Sequence, residues 1–208
     1  MTNAAQLPTP YFLARPAQAA GAGIVLLMEG NGMGWQLLRV AERLADEGYA
    51  VVAPDVYHRL HREHGDWEKA FGALQEEDAL CDIREAAAVA RSLGARKVGI
   101  TGFCMGGRLS YLAAVRGVDV QAAAPFYGAG IDRLLAAPGC PLLACFGARD
   151  PWIPSEAIAK VRARHGSDVV VYPEAGHGFM RDGSDDYRPD AARDAWGRLL
   201  AFFARHLR

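Results

Sequence analysis

The sequence predicts an α/β protein with a doubly wound, mostly parallel sheet and helices on both faces. Short apolar runs alternate along the chain with segments of helical periodicity, which is typical of βαβ units. The apolar runs are bounded by glycine, proline or charged residues, as buried parallel strands are. No repeat or linker interrupts the 208 residues, so we expect a single domain over residues 1–208.

Six apolar runs are the predicted strands, and a seventh, weaker one lies near the N-terminus. In chain order, starting with the weaker run, they are Tyr11–Ala14, Ile24–Met28, Ala50–Ala53, Lys97–Thr101, Gln121–Phe126, Leu142–Phe146 and Asp168–Tyr172. The predicted helices are Gln36–Glu47, two helices between Trp67 and Leu93, one from about Arg108, Ser155–Arg164 with Ser155 as N-cap, and Asp190–His206. Ligands of such sheets bind beyond the carboxyl ends of the strands.

A glycine-rich turn, Gly102-Phe103-Cys104-Met105-Gly106-Gly107, follows the predicted strand Lys97–Thr101. It has the G-x-nucleophile-x-G pattern of a sharp strand-to-helix elbow, with cysteine where serine is more usual. The start of a helix favours a thiolate, and the Met105 N–H is suited to bind an oxyanion. The pattern therefore predicts Cys104 as a nucleophile; a buried structural cysteine is the alternative.

Two further candidates follow later strands in the order acid, then histidine. Asp150 lies in the loop after Leu142–Phe146, and His177 lies in the glycine-flanked loop after Asp168–Tyr172. Both loops leave the strand ends at the edge where Cys104 is expected. We therefore expect His177 to take the thiol proton and Asp150 to orient its ring. An ordinary loop or capping role for Asp150, and a turn role for His177, are the alternatives.

Glu29 directly follows the strong strand Ile24–Met28 and precedes the glycine-rich stretch from Gly30 to Gly34. A carboxylate near a thiol would influence its protonation, and the Gly30 N–H would be a second oxyanion donor. A solvated loop charge is the alternative for Glu29. The glycines do not fit a dinucleotide-binding motif, because Trp35 occupies the third glycine position.

Composition argues against several other classes of function. The formal net charge of −1 gives no support for binding to nucleic acid or to a membrane surface. The apolar run Ile24–Met28 is too short to span a bilayer, and the first residues lack a signal-peptide pattern, so we expect a cytoplasmic protein with reduced cysteines. His58, His61 and His64 lack zinc-site spacing. They are expected in a solvent-facing or lid segment, and neither metal nor organic cofactor is expected.

Taken together, the motifs resemble those of the dienelactone hydrolase family, the cysteine branch of the α/β-hydrolases. The resemblance covers nearly the whole chain from Ile24 onward. It rests on the loop at Glu29, Gly48–Tyr57, Gly102–Gly107, Phe126-Tyr127-Gly128, Gly147–Pro154 and Gly176–Phe179. Family enzymes specific for dienelactone have a second carboxylate-binding arginine, and no arginine in His58–His64 aligns securely with it.

The resemblance implies an α/β-hydrolase fold with a triad of Cys104, Asp150 and His177. It also implies that Glu29 takes part in activating the thiol. Arg181 matches a family arginine that pairs with this glutamate and meets a substrate carboxylate; from the sequence alone it would be a surface charge.

We expect a thiol hydrolase that cleaves a small ester or lactone through an acyl-cysteine intermediate. The expected partner is this small-molecule substrate, and the expected assembly is a monomer or a small homo-oligomer. Trp152 and Tyr127 are candidate pocket walls or plain core aromatics. A general carboxylesterase for small esters is one alternative function. A redox-sensing thiol protein on a hydrolase scaffold is another, although a sensor does not need the positioned Asp150 and His177.

Overall fold

The computed structural model describes residues 8–18, 21–60 and 67–208. Within these residues one sheet contains all seven predicted strands, with ends that differ from the predicted ones by at most two residues. The strands are β1 Tyr11–Ala14, β2 Ala22–Leu27, β3 Ala50–Pro54, β4 Lys97–Phe103, β5 Ala122–Phe126, β6 Ala144–Gly147 and β7 Val169–Tyr172.

The strand order across the sheet is β1-β3-β2-β4-β5-β6-β7. β1 pairs antiparallel with β3 at one edge, and every other neighbouring pair is parallel. The prediction of a doubly wound, mostly parallel sheet is therefore confirmed. In a parallel sheet the carboxyl ends of the strands share one edge, so the loops after β2, β4, β6 and β7 all leave the sheet at that edge.

Helices follow the strands as the periodicity predicts. They are α1 Trp35–Asp46, α2 Trp67–Ala73, α3 Glu76–Ser92, α4 Met105–Val115, α5 Ser155–His165 and α6 Pro189–Leu207. The expectation of two helices between Trp67 and Leu93 is confirmed by α2 and α3. Within the described ranges, none of these helices combines the length and apolar character that crossing a bilayer requires.

Two glycines show that the helices cover both faces of the sheet. A Cβ atom at Gly23 would lie 2.9 Å from the Ala90 Cβ of α3, and one at Gly99 would lie 2.8 Å from Phe203 of α6. Gly99 is in register with Ile24, the residue next to Gly23, so the two glycines point to opposite faces. Each glycine thus lets a helix pack directly on a central strand.

Helix α5 begins at the predicted residue but with a different cap. Ser155 is its first helical residue, and the carbonyl of Pro154 accepts hydrogen bonds from the N–H groups of Ala157 and Ile158 at 2.9 and 3.2 Å. The expectation that the Ser155 side chain caps the helix is wrong. Proline, with no N–H of its own to satisfy, fits the position before the first turn, and the helix starts one residue earlier than a serine cap at Ser155 would require.

A buried carboxylate on α3 holds the segment after β3 in contact with that helix. The side chain of Asp82 is fully buried and accepts hydrogen bonds from Arg59 Nη1 at 2.6 and 2.7 Å and from the Thr9 hydroxyl at 2.6 Å. His58 Nε2 lies 3.2 Å from the same carboxylate, and its side chain is only 9% exposed. The expectation of a solvent-facing segment is therefore wrong for His58. His61 and His64 lie outside the described residues.

We predict that Asp82→Asn lowers the free energy of unfolding by about 3 kcal/mol, because it leaves the Arg59 guanidinium without its buried counter-charge. Urea denaturation monitored by circular dichroism measures this loss. Asp119→Asn is the matched control, since Asp119 is 79% exposed in its ion pair with Arg91 and should cost less than about 1 kcal/mol. Equal losses in the two variants would contradict a structural role for the buried cluster.

Candidate active site

Cys104 occupies the turn between β4 and α4. Its φ angle is 55°, a left-handed conformation that costs energy for a residue with a side chain. A Cβ at Gly102 would lie 2.6 Å from the Gly106 carbonyl, and a Cβ at Gly106 would lie 2.4 Å from the Leu27 oxygen. Only glycine fits at these two positions, and their close contacts with β2 and with each other hold the turn in place. The partly exposed Cys104 is thus fixed at the carboxyl edge of the sheet.

Asp150 and His177 form a buried hydrogen-bonded pair at the same edge. His177 Nδ1 lies 2.7 Å from Asp150 Oδ2, and the side chains are 5% and 0% exposed. The backbone N–H of Trp152 donates to Asp150 Oδ1, the other carboxylate oxygen, at 2.8 Å. Each oxygen of Asp150 is therefore engaged, so the carboxylate cannot rotate freely and the imidazole it binds has a defined orientation.

The loops that carry Asp150 and His177 are bound directly to each other. The Arg149 N–H donates to the Ala175 carbonyl at 2.9 Å, and the Ala148 N–H donates to the Tyr172 carbonyl at 2.9 Å. A Cβ at Gly147 would lie 2.4 Å from the Ala175 oxygen. The glycine is required for this close approach, which brings the acid within reach of the histidine.

The second ring nitrogen of His177 is available for chemistry. Nε2 is buried and makes no hydrogen bond of normal geometry to any described residue. Burial alone would lower the pKa of His177, but the interactions with Asp150 and with the Cys104 thiol together raise it to about 9. The thiol therefore lies close enough to influence the imidazole, although no well-formed hydrogen bond joins the two groups.

A cavity of about 380 Å³ connects the predicted residues. Cys104 and His177 line it, together with the residues whose N–H groups were predicted to bind an oxyanion, Gly30 and Met105. The Met105 amide belongs to the first turn of α4, where N–H groups have no partner within the helix. The remaining lining residues are mostly apolar: Trp67, Glu68, Phe71, Arg108, Ala129 and Trp152.

The other cysteines in the sheet region differ from Cys104 in their surroundings. Burial raises the pKa of Cys140 to about 11 and, as the largest cause, that of Cys145 to about 12. Both thiols are therefore protonated at neutral pH and behave as packing groups. Neither lines the cavity that contains Cys104 and His177.

Glu29 and Arg181 form the ion pair that the family resemblance implies. Arg181 donates from Nε and Nη2 to Glu29 Oε2 at 3.0 and 2.7 Å. Both residues line a separate small cavity of about 80 Å³, which also contains Tyr127. The pKa of the Tyr127 hydroxyl is raised well above its usual value by burial and by the nearby Glu29 charge. Glu29 and Arg181 therefore line the small cavity and are absent from the lining of the larger cavity that contains Cys104.

Two aromatic residues hold the His177 ring. The exposed indole of Trp152 has its centroid 4.3 Å from the imidazole centroid and forms part of the larger cavity wall. Tyr127, which is 1% exposed and has a φ of 37°, packs edge-on against the ring at 5.1 Å. Trp152 is therefore placed where a pocket wall was expected, while Tyr127 packs against the imidazole from the protein interior.

Tyr57 contacts the candidate site through its hydroxyl, and the sequence reasoning did not identify this contact. Its buried hydroxyl lies 3.0 Å from the Gly30 carbonyl oxygen and 3.1 Å from Met105 Sδ. It thus contacts both residues whose N–H groups were predicted to bind an oxyanion. The signal available in the sequence was the Pro54-Asp55-Val56-Tyr57 stretch, which supported the family resemblance without a role for the hydroxyl.

The described part of the chain contains no group of three or more His, Cys, Asp or Glu side chains placed to hold a metal ion. Asp150 and His177 are close enough to act as a pair, and both cavities lie at the strand ends that the fold class predicted.

Comparison with known proteins agrees with this geometry. The model of the dienelactone hydrolase family matches residues 10–207. The chain is 31% identical to the carboxymethylenebutenolidase of Pseudomonas putida, over 91% of this chain and 88% of that protein. It is also 31% identical to a candidate carboxymethylenebutenolidase of Salmonella typhimurium, over 95% of this chain and 83% of that protein.

A solved structure from Klebsiella pneumoniae, described as that of a candidate dienelactone hydrolase, superposes with a TM-score of 0.84 at 28% identity, covering 95% of this chain and 93% of that one. The fold is therefore that of the α/β-hydrolases. Sequence and structural similarity extend over nearly the whole length of these proteins, and the chain belongs to the dienelactone hydrolase family of hydrolases.

Proposed function

We propose that this protein is a thiol hydrolase that cleaves a small ester or lactone, with Cys104 as nucleophile, His177 as general acid and base, and Asp150 as the orienting carboxylate. The observation that carries the proposal is the buried 2.7 Å pair of His177 and Asp150. The Nε2 atom of His177 is buried and has no well-formed hydrogen bond to a described residue, and His177 lines the same cavity as Cys104. Such a pair provides a base that is already oriented for proton transfer from the thiol.

The first half-reaction forms an acyl-cysteine. His177 Nε2 takes the thiol proton, and the sulfur attacks the ester carbonyl carbon to give a tetrahedral oxyanion. The oxyanion collapses as the carbon–oxygen bond to the alcohol breaks. His177 returns the proton to the departing alkoxide, so the products are a thioester on Cys104 and a free alcohol, or a ring-opened chain if the substrate is a lactone.

The second half-reaction releases the acid. Neutral His177 takes a proton from a water molecule whose oxygen attacks the thioester carbonyl. The carbon–sulfur bond then breaks, the carboxylic acid leaves, and the proton returns to the Cys104–His177 pair. In both half-reactions the N–H groups of Gly30 and Met105, which line the cavity, stabilise the oxyanion.

Glu29 tunes the thiol from the neighbouring small cavity. Its carboxylate is held by two hydrogen bonds from Arg181, so its orientation depends on that guanidinium. Burial lowers the pKa of Arg181 and Glu29 raises it above its usual value, with only a small contribution from the thiol. For His177, the interactions with Asp150 and with the thiol outweigh burial and raise the pKa, which supports a role of the imidazole in stabilising a thiolate. We assign Arg181 the role of holding Glu29, in addition to contact with a substrate carboxylate that reaches the small cavity.

A general carboxylesterase for small esters is the second candidate function. It is favoured by the aromatic side chains of Trp67, Phe71 and Trp152 in the cavity wall, because such walls bind apolar acyl or alcohol groups without requiring a charge. The two candidates share the same chemistry and differ in the substrate that is processed fastest.

We predict that Cys104→Ala lowers kcat for p-nitrophenyl acetate by at least about a thousandfold, since no other group forms the covalent intermediate. Release of p-nitrophenol measures the rate. In His177→Gln both half-reactions lose their base, but p-nitrophenyl acetate is activated and can still acylate the small thiolate fraction, whereas water cannot attack the thioester without a base. Mass spectrometry of the intact protein after long incubation should therefore detect an acetyl group on Cys104.

Cys140→Ala is the matched control for this experiment and should retain the wild-type rate, because its protonated thiol lies outside the cavity. Undiminished turnover in Cys104→Ala would rule out the thiol mechanism. A folded wild-type protein that hydrolyses no ester while Cys104 oxidises reversibly would favour the redox-sensing alternative.

We predict that Asp150→Asn lowers the pKa of His177 from about 9, because the imidazolium loses the negative partner of its Nδ1–H. Titration of labelled histidine by NMR measures this shift, and the imidazole then loses its proton at a lower pH than in the wild type. Asp194→Asn is the control, since Asp194 pairs with Arg198 and Tyr172. An unchanged His177 titration in Asp150→Asn would remove Asp150 from the proposed triad.

A further inference from the structure

Arg108 is a charged residue of the thiol cavity that the proposed mechanism does not use. It lies one turn into α4, and its N–H donates to the Cys104 carbonyl at 3.1 Å. Its side chain lines the same cavity as Cys104 and His177. A guanidinium one helical turn from the proposed nucleophile is within the length of a small substrate bound at the sulfur.

The surroundings of Arg108 are mainly apolar. Trp67, Phe71 and Trp152 line the same cavity, and among the described lining residues Arg108 is the single arginine or lysine. The cavity is open to solvent, since Trp67 and Trp152 are 45% and 61% exposed. An anion beside this apolar wall loses part of its water, and its attraction to a guanidinium is then stronger than at a fully exposed surface. A substrate with an anionic group would therefore be distinguished from a neutral one of the same shape.

The guanidinium of Arg108 is held in place by a neighbouring acid and a nearby turn. Nη2 lies 2.5 Å from Glu76 Oε1 at the start of α3. A Cβ at Gly130 would lie 3.4 Å from Arg108 Nε, so the side chain runs close along the turn after β5. A guanidinium carries five N–H donors in a planar fork, and the pair with Glu76 leaves donors for a second carboxylate.

Arg181, the family match for a carboxylate-binding residue, is placed differently. It makes two hydrogen bonds to Glu29 and lines the small cavity of about 80 Å³. The larger cavity, where Cys104 and His177 meet, contains Arg108 instead. Arg108 and the imidazole of His177 are therefore the cationic groups of the cavity that contains Cys104, and Glu68 is the acidic residue among its described lining residues.

We propose that Arg108 is a specificity-determining residue that binds a carboxylate on the ester or lactone substrate, with Glu76 holding the guanidinium in position and competing for it. The apolar part of the substrate lies against the aromatic wall. This inference rests on the proposed function, because the carboxylate is recognised while the ester is attacked by Cys104.

The test compares ester pairs that differ only in charge. One pair is the p-nitrophenyl half-ester of glutaric acid and its methyl ester, with the carboxylate in the acyl half. The other is meta-acetoxybenzoate and its methyl ester, with the carboxylate in the alcohol half. For each pair the ratio of kcat/KM for the anionic to the neutral ester is measured in the wild type, Arg108→Gln, Arg108→Lys and Glu76→Gln.

For at least one of the two ester pairs, Arg108→Gln should lower this ratio about ten- to hundredfold. This is the change in affinity expected when one charge-assisted hydrogen bond, or one bidentate interaction between guanidinium and carboxylate, is lost. The loss should fall mainly on KM for the anionic ester. Arg108→Lys should keep part of the ratio, because the charge remains while the fork is lost. Glu76→Gln should raise the ratio roughly two- to fivefold, because it removes a competing carboxylate.

Arg116→Gln is the matched control. Arg116 follows the last turn of the same helix, is 54% exposed in a 3.8 Å pair with Glu77, and is absent from the cavity wall. This variant should leave the ratio unchanged. If Arg108→Gln does not fold, the other two variants still test the inference. A ratio of anionic to neutral kcat/KM that rises in Glu76→Gln and falls in Arg108→Lys supports carboxylate binding by Arg108.

Ratios that are equal in the wild type and all Arg108 and Glu76 variants, for both ester pairs, would overturn the inference. The proposed function is tested separately by the neutral esters, whose hydrolysis must be lost in Cys104→Ala. A protein that hydrolyses neutral esters through Cys104 without any charge preference would keep the proposed function and exclude the role of Arg108.

Discussion

The close approach of three backbone segments at the elbow is the constraint on which the site depends. Gly106 lies so near the end of β2 that a Cβ there would be 2.4 Å from the Leu27 oxygen, and Gly102 is equally crowded by Gly106. Because these contacts leave no room for a side chain, the turn has a single conformation, and Cys104 accepts a left-handed φ of 55° within it. The strain at the cysteine is balanced by the packing of β2 and of the end of β4 next to the turn, where the residues are buried.

The position of the turn also determines its electrostatics. Cys104 directly precedes α4, where the unpaired N–H groups of the first turn create a positive potential. His177 adds a second positive group, because its hydrogen bond to Asp150 and its interaction with the thiol outweigh the effect of burial and raise its pKa to about 9. The start of α4 and the imidazole therefore both place positive potential at the turn that contains Cys104.

Much of the fold was predictable because its signals are local. Apolar runs bounded by Gly and Pro gave all seven strands, and the elbow was readable because its glycines are adjacent to Cys104 in sequence. Each of Cys104, Asp150 and His177 follows a strand, and this predicted that they lie at one edge of the sheet, because parallel strands end at a common edge. The cap of α5 was mispredicted, since serine and proline both suit a helix start and only the backbone decides between Ser155 and Pro154.

What could not be predicted depends on contacts between distant segments. Asp82 lies in the middle of a helix, and nothing in the sequence shows that Arg59 and Thr9 converge on it. The separation of Arg181 from the thiol cavity and the presence of Arg108 within it likewise follow from side-chain directions at the sheet edge. In the sequence, nothing distinguishes Arg108 from other residues of the predicted helix, because the hydrophobic periodicity does not show which face of α4 lines a cavity.

The loops after β6 and β7 are joined by backbone hydrogen bonds and by the contact at Gly147, so neither loop can shift alone. A substitution that displaces the acid also displaces the imidazole, and the distance between them is preserved while their joint position relative to the sulfur changes. Sequence changes in these two loops thus alter how the Asp150–His177 pair is aligned with the Cys104 sulfur. The hydrogen bond within the pair is lost only when Asp150 or His177 itself is replaced.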